Sequence, residues 1–281
     1  MKRFILNEAP DNNGRVRLAG NDYHYLVRVR RLAPGEYFPA LLPSGEETFI
    51  RVQTVEGGVL TGECTAPESP PQTSGGFSAP PLVLFQALPK GDKMDIIVRQ
   101  AAEGALSEIV PFVSEFSIPK IKGKEKPENG AGAKKTARWE RIIKEARQQS
   151  GSGIATAIRQ PVSINELFVH WEAAKKQYPG ALGLLFHHLP LYPPDGPLVQ
   201  TSLHGYLDKG PEMVALAVGP EGGFSPGEAE RFLEAGFRPL TIGNTILRTE
   251  TAALYAAAAI RIILLERNSW EMKKHGNVSI C

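Results

Sequence analysis

Hydrophobic and polar positions alternate over short stretches in the first 65 residues. Residues 48–55 and 58–64 are rich in β-forming side chains, and Pro and Gly separate these stretches from their neighbours. This spacing predicts a small β-barrel or compact sheet. One helix is expected there, over residues 21–32, because a capping-type Asn or Asp precedes apolar positions at helical spacing.

The later part of the chain has a different pattern, in which apolar strands alternate with longer helical segments. Strands are predicted over residues 81–87, 108–113, 182–186, 213–218 and 238–242. Helices are predicted over residues 93–104, 135–149, 226–235 and 250–266. This alternation is typical of an α/β domain, in which helices cover the faces of a parallel sheet.

A stretch rich in Pro, Gly and Ser separates the two patterns. It runs over residues 61–81 and has almost no periodic apolar positions, so it predicts a linker. We therefore expect a β-rich domain at residues 1–70, a linker at 71–80 and an α/β domain at 81–281.

Composition narrows the class of protein. The 281 residues are 42% hydrophobic and 22% charged, which is enough for two cores. No apolar run reaches the roughly 18 residues of a membrane span and no export signal is visible, so we expect no membrane partner and a cytoplasmic location.

Cys64 and Cys281 suggest neither a disulfide nor a thiolate metal site. His187 and His188 are neighbours on a predicted strand and point to opposite faces, so we expect no metal.

Charge is distributed unevenly along the chain. The net charge is only +2, but residues 71–150 contain 13 Lys and Arg against 9 Asp and Glu. An excess of positive charge attracts polyanions such as nucleic acids by releasing their counterions. A solvated basic surface without a partner accounts for the same excess, so charge alone does not decide between the two.

The most informative segment is residues 218–228, with the sequence VGPEGGFSPGE. An apolar strand runs into a turn whose glycines expose backbone N–H and C=O groups to a ligand. Ser225 then caps a helix, with Pro226 at its first position and Glu228 three residues after the cap. A tight strand-to-helix turn without a ligand explains the glycines equally well, because the segment is neither a P-loop nor a G-x-G-x-x-G fingerprint.

A second segment, residues 240–255, has the sequence LTIGNTILRTETAALY. A strand is followed by a short loop and a long helix, which Thr249 or Thr251 can cap. The loop lies beyond the carboxyl end of a strand, where open α/β sheets bind ligands. Arg248 and Glu250 stand beside an apolar turn and need a partner or a role in binding, and a structural salt bridge is the alternative.

Together these two segments resemble the ribosomal RNA small subunit methyltransferase E family, which belongs to the SPOUT class. Residues 87–95 (ALPKGDKMD) resemble the family's motif after the first strand of its catalytic domain, and residues 1–4 and 24–32 resemble its amino-terminal domain. The resemblance therefore covers nearly the whole chain. It implies a PUA-like β-barrel followed by an α/β domain with a trefoil knot, acting as a homodimer. The implied reaction is methylation, by S-adenosylmethionine, of N3 of a uridine in 16S ribosomal RNA within the small subunit.

The resemblance also assigns roles to residues. It implies cofactor contacts for Phe186, His187, Gly219, Pro220, Glu221, Gly222, Ile242, Gly243, Ile246, Leu247, Arg248, Thr249 and Thr251. Since N3 of uracil must lose a proton, we hypothesise that Arg248 stabilises the uracil oxygen and that Glu250 or Glu221 is the base or an orienting group. Basic side chains are expected to contact RNA phosphates. They are Arg3, Arg28, Arg30, Arg31, Lys90 and Lys93.

The chain departs from the family pattern at residue 152. The family usually has an arginine there, whereas this chain has Ser152, and Arg147 or Arg159 is the candidate to replace it. Two other functions stay open at this point. One is a ribosome-assembly factor that binds RNA without catalysis, which predicts no cofactor binding. The other is a methyltransferase of the same class that acts on another RNA.

Overall fold

Two units make up the chain in a computed structural model that describes residues 4–65, 79–118, 131–187, 202–241 and 245–274. One unit consists of Met1–Gly76 with Lys144–Ala155, and the other of Phe77–Ile143 with Thr156–Cys281. The predicted linker at residues 71–80 falls mostly outside the described residues, so its bounds stay a prediction. The first unit includes a later segment, residues 144–155, that the sequence pattern did not single out.

The first unit contains a five-stranded sheet. Its strands are β1 (Phe4–Ile5), β2 (Arg15–Ala19), β3 (Tyr37–Leu41), β4 (Glu47–Glu56) and β5 (Val59–Thr65). They lie in the order β1-β3-β4-β5-β2, with β1 parallel to β3 and the other neighbours antiparallel. The predicted helix is present as α1 (Gly20–Tyr23), which continues as a π-helix over His24–Val29.

Alternation along the strands builds the core of the first unit. In β2 the side chains of Val16 and Leu18 are buried and their neighbours are exposed. Phe4 and Phe38 pack edge to face inside, with ring centroids 5.9 Å apart. The predicted compact sheet is therefore confirmed, and its closure into a barrel remains a proposal.

The second unit contains a seven-stranded parallel sheet. Its strands are β6 (Leu82–Ala87), β7 (Glu108–Val113), β8 (Ala157–Ile158), β9 (Val162–Ser163), β10 (Ala181–Phe186), β11 (Met213–Val218) and β12 (Arg238–Leu240). The order is β12-β10-β11-β6-β7-β8, and β9 also pairs with β7. The helices are α2 (Lys93–Glu103), α3 (Ala131–Ser150), α4 (Ile164–Gln177), α5 (Leu203–Leu207), α6 (Pro226–Glu234) and α7 (Thr249–Lys274). Helix α3 begins in this unit, and its residues from Lys144 onward belong to the first unit. All predicted strands and helices of this region are confirmed, and β8, β9, α4 and α5 are additional.

Helices cover both faces of the parallel sheet. Strands β6 and β11 are buried at every position, as expected for central strands of such a sheet. On one face, an aromatic core joins α4 and α6 to the sheet through Phe85, Phe112, Trp171, Phe232 and Phe237. Helix α7 packs on β6 and β11, and α2 packs on α7. In the described ranges, no helix combines the length and apolar character needed to cross a membrane.

Candidate functional site

The glycine-bearing turn after β11 forms the first wall of the site. Gly219 and Pro220 are buried, and the Gly223 N–H donates to the Pro220 carbonyl at 2.9 Å. Gly223 has φ +71°, a left-handed conformation that glycine adopts at little cost. A Cβ on Gly219 would lie only 3.0 Å from the Gly223 carbonyl carbon, so a side chain there would crowd the backbone of the turn. The chain thus presents bare backbone at the carboxyl edge of the sheet.

The helix after this turn begins as its sequence predicted. The Ser225 hydroxyl accepts from the Glu228 N–H, and the Glu228 side chain accepts from the Ser225 N–H, which is a capping box with Pro226 in the first turn. Both Ser225 and Glu228 are buried. The cap fixes the direction in which the chain leaves the turn.

The start of α7 forms the second wall, and one hydroxyl group fastens it to the first. Thr249 Oγ1 donates to the Gly219 carbonyl at 2.7 Å and accepts from Gln86 Nε2 at 3.0 Å. Gln86 lies at the end of β6, next to Val218 of β11. Two turns that are 30 residues apart in the sequence are therefore directly hydrogen-bonded.

Between these walls lies a cavity of about 660 Å³. Ten of the residues assigned to the cofactor line it, namely Phe186, His187, Gly219, Pro220, Glu221, Gly222, Ile246, Leu247, Arg248 and Thr249. Six further residues line it without having been assigned to the cofactor, namely Lys93, Val218, Gly223, Thr241, Thr245 and Ala252. Ile242 and Gly243 lie outside the described residues. Thr251 is exposed on α7 and does not line the cavity.

An ion network lies beside the cavity. Lys93 Nζ is 2.7 Å from Glu221 Oε1 and 3.6 Å from Glu250 Oε2. The Lys90 N–H also donates to the Glu221 carboxylate, at 3.2 Å from Oε1. Burial opposes the charge of Glu221, but the hydrogen bonds from Lys93 and the backbone outweigh it and lower the pKa of Glu221. The same hydrogen bond raises the pKa of Lys93.

This network changes the expected role of Lys93. The sequence placed Lys93 among the phosphate contacts, whereas its ammonium group is engaged by two carboxylates. Arg248 differs, because it is exposed at the cavity and its guanidinium makes no hydrogen bond or ion pair within the described residues. Arg248 is therefore the cation at this site that is free to meet an incoming anion.

The other basic residues divide between the two units. In the first unit Arg28 and Arg31 are exposed, whereas Arg30 Nη1 is buried without a hydrogen-bond partner among the described residues. Lys90, in the second unit, is exposed. Arg3 lies outside the described residues.

The two candidates to replace the missing arginine at residue 152 have different surroundings. Arg159 Nε pairs with Glu108 Oε1 at 2.5 Å, so Arg159 already has a structural partner. Arg147 is buried, and its Nε and Nη2 have no partner among the described residues. Burial lowers the pKa of Arg147.

Sequence reasoning missed Gln86, which connects the site to the sheet. It is fully buried, and its Nε2 also donates to the Ala87 carbonyl at 2.9 Å. The signal was present, because Gln86 is a polar residue in an otherwise apolar strand. A buried amide in such a strand needs partners, which here are the backbone and Thr249.

No group of three or more potential metal ligands occurs among the residues that were described.

Comparison with known proteins supports the resemblance seen in the sequence. A family model described as RNA methyltransferase domain matches residues 78–261. The ribosomal RNA small subunit methyltransferase E of Bacillus subtilis is 28% identical over 254 residues, covering 86% of this chain and 88% of the relative. The protein of the same name in Synechocystis is 29% identical over 251 residues, covering 89% of this chain and 73% of the relative.

A solved structure agrees with these relatives. The ribosomal RNA small subunit methyltransferase E of Neisseria gonorrhoeae, bound to S-adenosyl methionine, is 26% identical, with a TM-score of 0.70. The match covers 94% of this chain and 98% of that chain. The resemblance inferred from the two glycine-bearing segments is thereby confirmed, together with the α/β methyltransferase fold.

Proposed function

Because the chain belongs to the family of RNA methyltransferase domains, we propose that it methylates RNA of the small ribosomal subunit with S-adenosylmethionine as the methyl donor. The relatives are named for this activity, and the Neisseria structure contains this cofactor. The observation that carries the proposal is the hydrogen bond from Thr249 to the Gly219 carbonyl, which holds two turns around one cavity.

The residues around the cavity fit an adenosyl cofactor. A volume of about 660 Å³ lies within the range of roughly 300–1,000 Å³ that is typical of small-molecule sites. The glycine turn offers backbone donors and acceptors for the edge of a purine. Ile246 is 78% exposed at the cavity, and an apolar side chain of this size gains by being covered with a planar apolar surface.

Within this function we propose N3 of a uridine as the acceptor. When bound, S-adenosylmethionine supplies an electrophilic methyl group on a sulfonium. The imide N–H at N3 holds its proton at neutral pH, so the chain must provide a proton acceptor and a cation beside the uracil oxygen. Arg248 is suited to the second task, because its guanidinium is exposed at the cavity and unpaired among the described residues.

The two carboxylates are suited to different tasks. Glu221 is held by Lys93 and by the Lys90 N–H, and its lowered pKa makes it a weak proton acceptor. Glu250 Oε2 is buried and accepts no hydrogen bond among the described residues, and the cation that lies near it there is Lys93, at 3.6 Å. We therefore assign proton acceptance to Glu250 and orientation of the bound groups to Glu221.

Two finer features of the fold belong to the proposal. A trefoil knot in the second unit is supported by the path of the chain, which runs from β11 past β10 to β12 and returns to place Thr249 against Gly219. A PUA-like barrel in the first unit is supported by its five-stranded sheet and by the helical segment between β2 and β3. Exposed Arg28 and Arg31 on that unit are the proposed RNA contacts.

We propose that the active form is a homodimer built on α7. The alanines at positions 252, 253, 256 and 257 are buried within their own unit. On the opposite side of the helix, Leu254, Tyr255 and Ile262 are 41%, 55% and 55% exposed. An apolar stripe of this kind is typical of a surface that another helix covers.

The test is incubation of the protein with labelled S-adenosylmethionine and small subunits that lack the modification, followed by nucleoside analysis. We expect label in 3-methyluridine, and no label with subunits that already carry it. Label in a different nucleoside would overturn the N3 assignment alone. Absence of both methyl transfer and cofactor binding would overturn catalysis and leave an RNA-binding assembly factor.

A further inference from the structure

The turn after β7 has an unusual distribution of polar and apolar side chains. Ser114 and Ser117 are buried, whereas Phe116 is 46% exposed and Ile118 is 65% exposed. The serines stabilise the turn from inside, because the Ser117 N–H donates to the Ser114 carbonyl at 3.0 Å and the Ser114 N–H donates to Ser117 Oγ at 3.2 Å. The turn therefore presents an aromatic ring to the solvent.

A buried carboxylate fastens this turn to the cavity wall. Glu228 accepts from Ser114 Oγ at 3.0 Å, from the Glu115 N–H at 2.8 Å and from the Ser225 N–H at 3.1 Å. Ser225 follows the glycine-bearing turn that lines the cavity. The residues just before Phe116 are therefore held by the same carboxylate that takes part in the capping box of α6.

The ring of Phe116 lies on the bare backbone of that glycine turn. A Cβ placed on Gly222 would be 3.0 Å from Phe116 Cβ, 3.3 Å from Cγ and 3.4 Å from Cδ2. Gly222 itself lines the cavity. Phe116 thus lies next to a residue of the cavity wall, and nearly half of its surface is available to a further group.

We propose that Phe116 is a stacking surface for a nucleobase of the RNA substrate, an inference that rests on the proposed function. Single-stranded RNA bases unstack from one another and stack on aromatic side chains, and each such contact contributes substantially to binding. A base that covers Phe116 removes an exposed apolar surface from water. It also brings the RNA beside Gly222 and therefore beside the methyl-transfer site.

The experiment compares Phe116→Leu with Phe116→Tyr. Leu keeps an apolar side chain over Gly222 but has no aromatic face, whereas Tyr keeps the face. We expect Phe116→Leu to raise KM for small subunits about tenfold, with Phe116→Tyr close to the wild-type protein. The Kd for S-adenosylmethionine, measured by calorimetry, stays at the wild-type value in both. Ile118→Ala is the matched control, an exposed apolar residue of the same turn.

The outcomes separate this inference from the function on which it rests. A wild-type KM for small subunits in Phe116→Leu, or an equal rise of KM in Ile118→Ala, overturns the stacking role. Methylation by the wild-type protein is unaffected by either outcome. A weaker Kd for the cofactor in Phe116→Leu, matching the change in KM, shows a purely structural role and also overturns the stacking role. Absence of methyl transfer by the wild-type protein itself overturns the proposed function and the inference together.

Discussion

Among single residues, Thr249 connects three elements of the site, namely α7, the turn after β11 and β6. Its hydroxyl joins the Gly219 carbonyl of the glycine turn to Gln86 at the end of β6. Thr249→Val keeps the shape but leaves a buried carbonyl and a buried amide without this partner. We expect a loss of about 1–3 kcal/mol in the free energy of unfolding, and a weaker Kd for S-adenosylmethionine because the two turns are no longer fastened together.

The control for this prediction is Thr156→Val. Thr156 is also buried, and its hydroxyl donates to the Leu106 carbonyl at 2.7 Å, before the amino end of β7. The Thr156→Val variant therefore loses a buried hydroxyl–carbonyl hydrogen bond at the opposite edge of the sheet. We expect a similar loss of stability by thermal unfolding and an unchanged Kd for the cofactor by calorimetry. Equal cofactor affinity in both variants would show that the Thr249 bond is not part of the site.

Arg248 is expected to act on turnover more than on cofactor binding. Its guanidinium is exposed and has no partner among the described residues, so Arg248→Ala removes no hydrogen bond or ion pair that the described part of the chain makes. If the side chain stabilises negative charge on the uracil, kcat falls by about 100-fold or more while the Kd for S-adenosylmethionine changes little. Single-turnover kinetics with small subunits measures the first quantity and calorimetry the second. Wild-type turnover in the variant removes Arg248 from the mechanism.

At the scale of elements, one side of helix α7 packs within the second unit and the other side is exposed. Its alanines pack within the second unit, and Leu254 lies on the exposed side of the helix at 41% exposure. Leu254→Asp is expected to shift the protein from dimer to monomer in analytical ultracentrifugation, because a charge is costly in an apolar interface. Val169→Asp is the control, since Val169 is 71% exposed on α4. A monomeric wild-type protein, or dissociation by both variants, contradicts the proposed interface.

The sequence predicted helices and strands better than it predicted the contacts between them. The β11 turn was readable because Ser225, Pro226 and Glu228 stand at the spacing that begins a helix. Helix α4 was not predicted, although Ser163 and Glu166 form the same kind of capping box. Its aromatic and β-branched residues have low intrinsic helix propensity, and packing in the aromatic core outweighs that preference.

Contacts between distant segments could not be predicted from spacing. Gln86 and Thr249 are 163 positions apart, and only the parallel order of β6 and β11 brings them together. For the same reason Lys93 was expected to contact phosphate, although the fold places it between Glu221 and Glu250. The resemblance to a family supplied ten of the sixteen residues that line the cavity, and the structure added the other six and the hydrogen bonds that hold the two turns.

At the scale of the whole molecule, the cavity and a second cluster of charged residues lie at opposite edges of the parallel sheet. The cavity lies at the carboxyl edge, after β10, β11 and β12. At the amino edge, Glu108 at the start of β7 pairs with Arg159 at 2.5 Å and with His170 of α4 at 3.2 Å. This second cluster joins three segments of the chain and is not part of the cavity. Changes there are expected to affect stability without affecting the cofactor.

Glu108 makes this separation testable by pH. Burial opposes its charge, but hydrogen bonds and charge interactions with His170 and Arg159 outweigh burial and lower the pKa of Glu108 below its ordinary value of 4.5. A carboxyl group whose pKa is lower in the folded than in the unfolded protein stabilises the folded state fully at pH values above the unfolded-state pKa. This stabilisation is lost as the pH falls through the folded-state pKa. The unfolding temperature should therefore fall more steeply below about pH 4.5 in the wild-type protein than in Glu108→Gln. Glu172→Gln removes an exposed ion pair on α4 and should leave the pH dependence of the unfolding temperature as in the wild-type protein. If the unfolding temperature of Glu108→Gln falls with pH as steeply as that of the wild-type protein, the cluster does not contribute to stability.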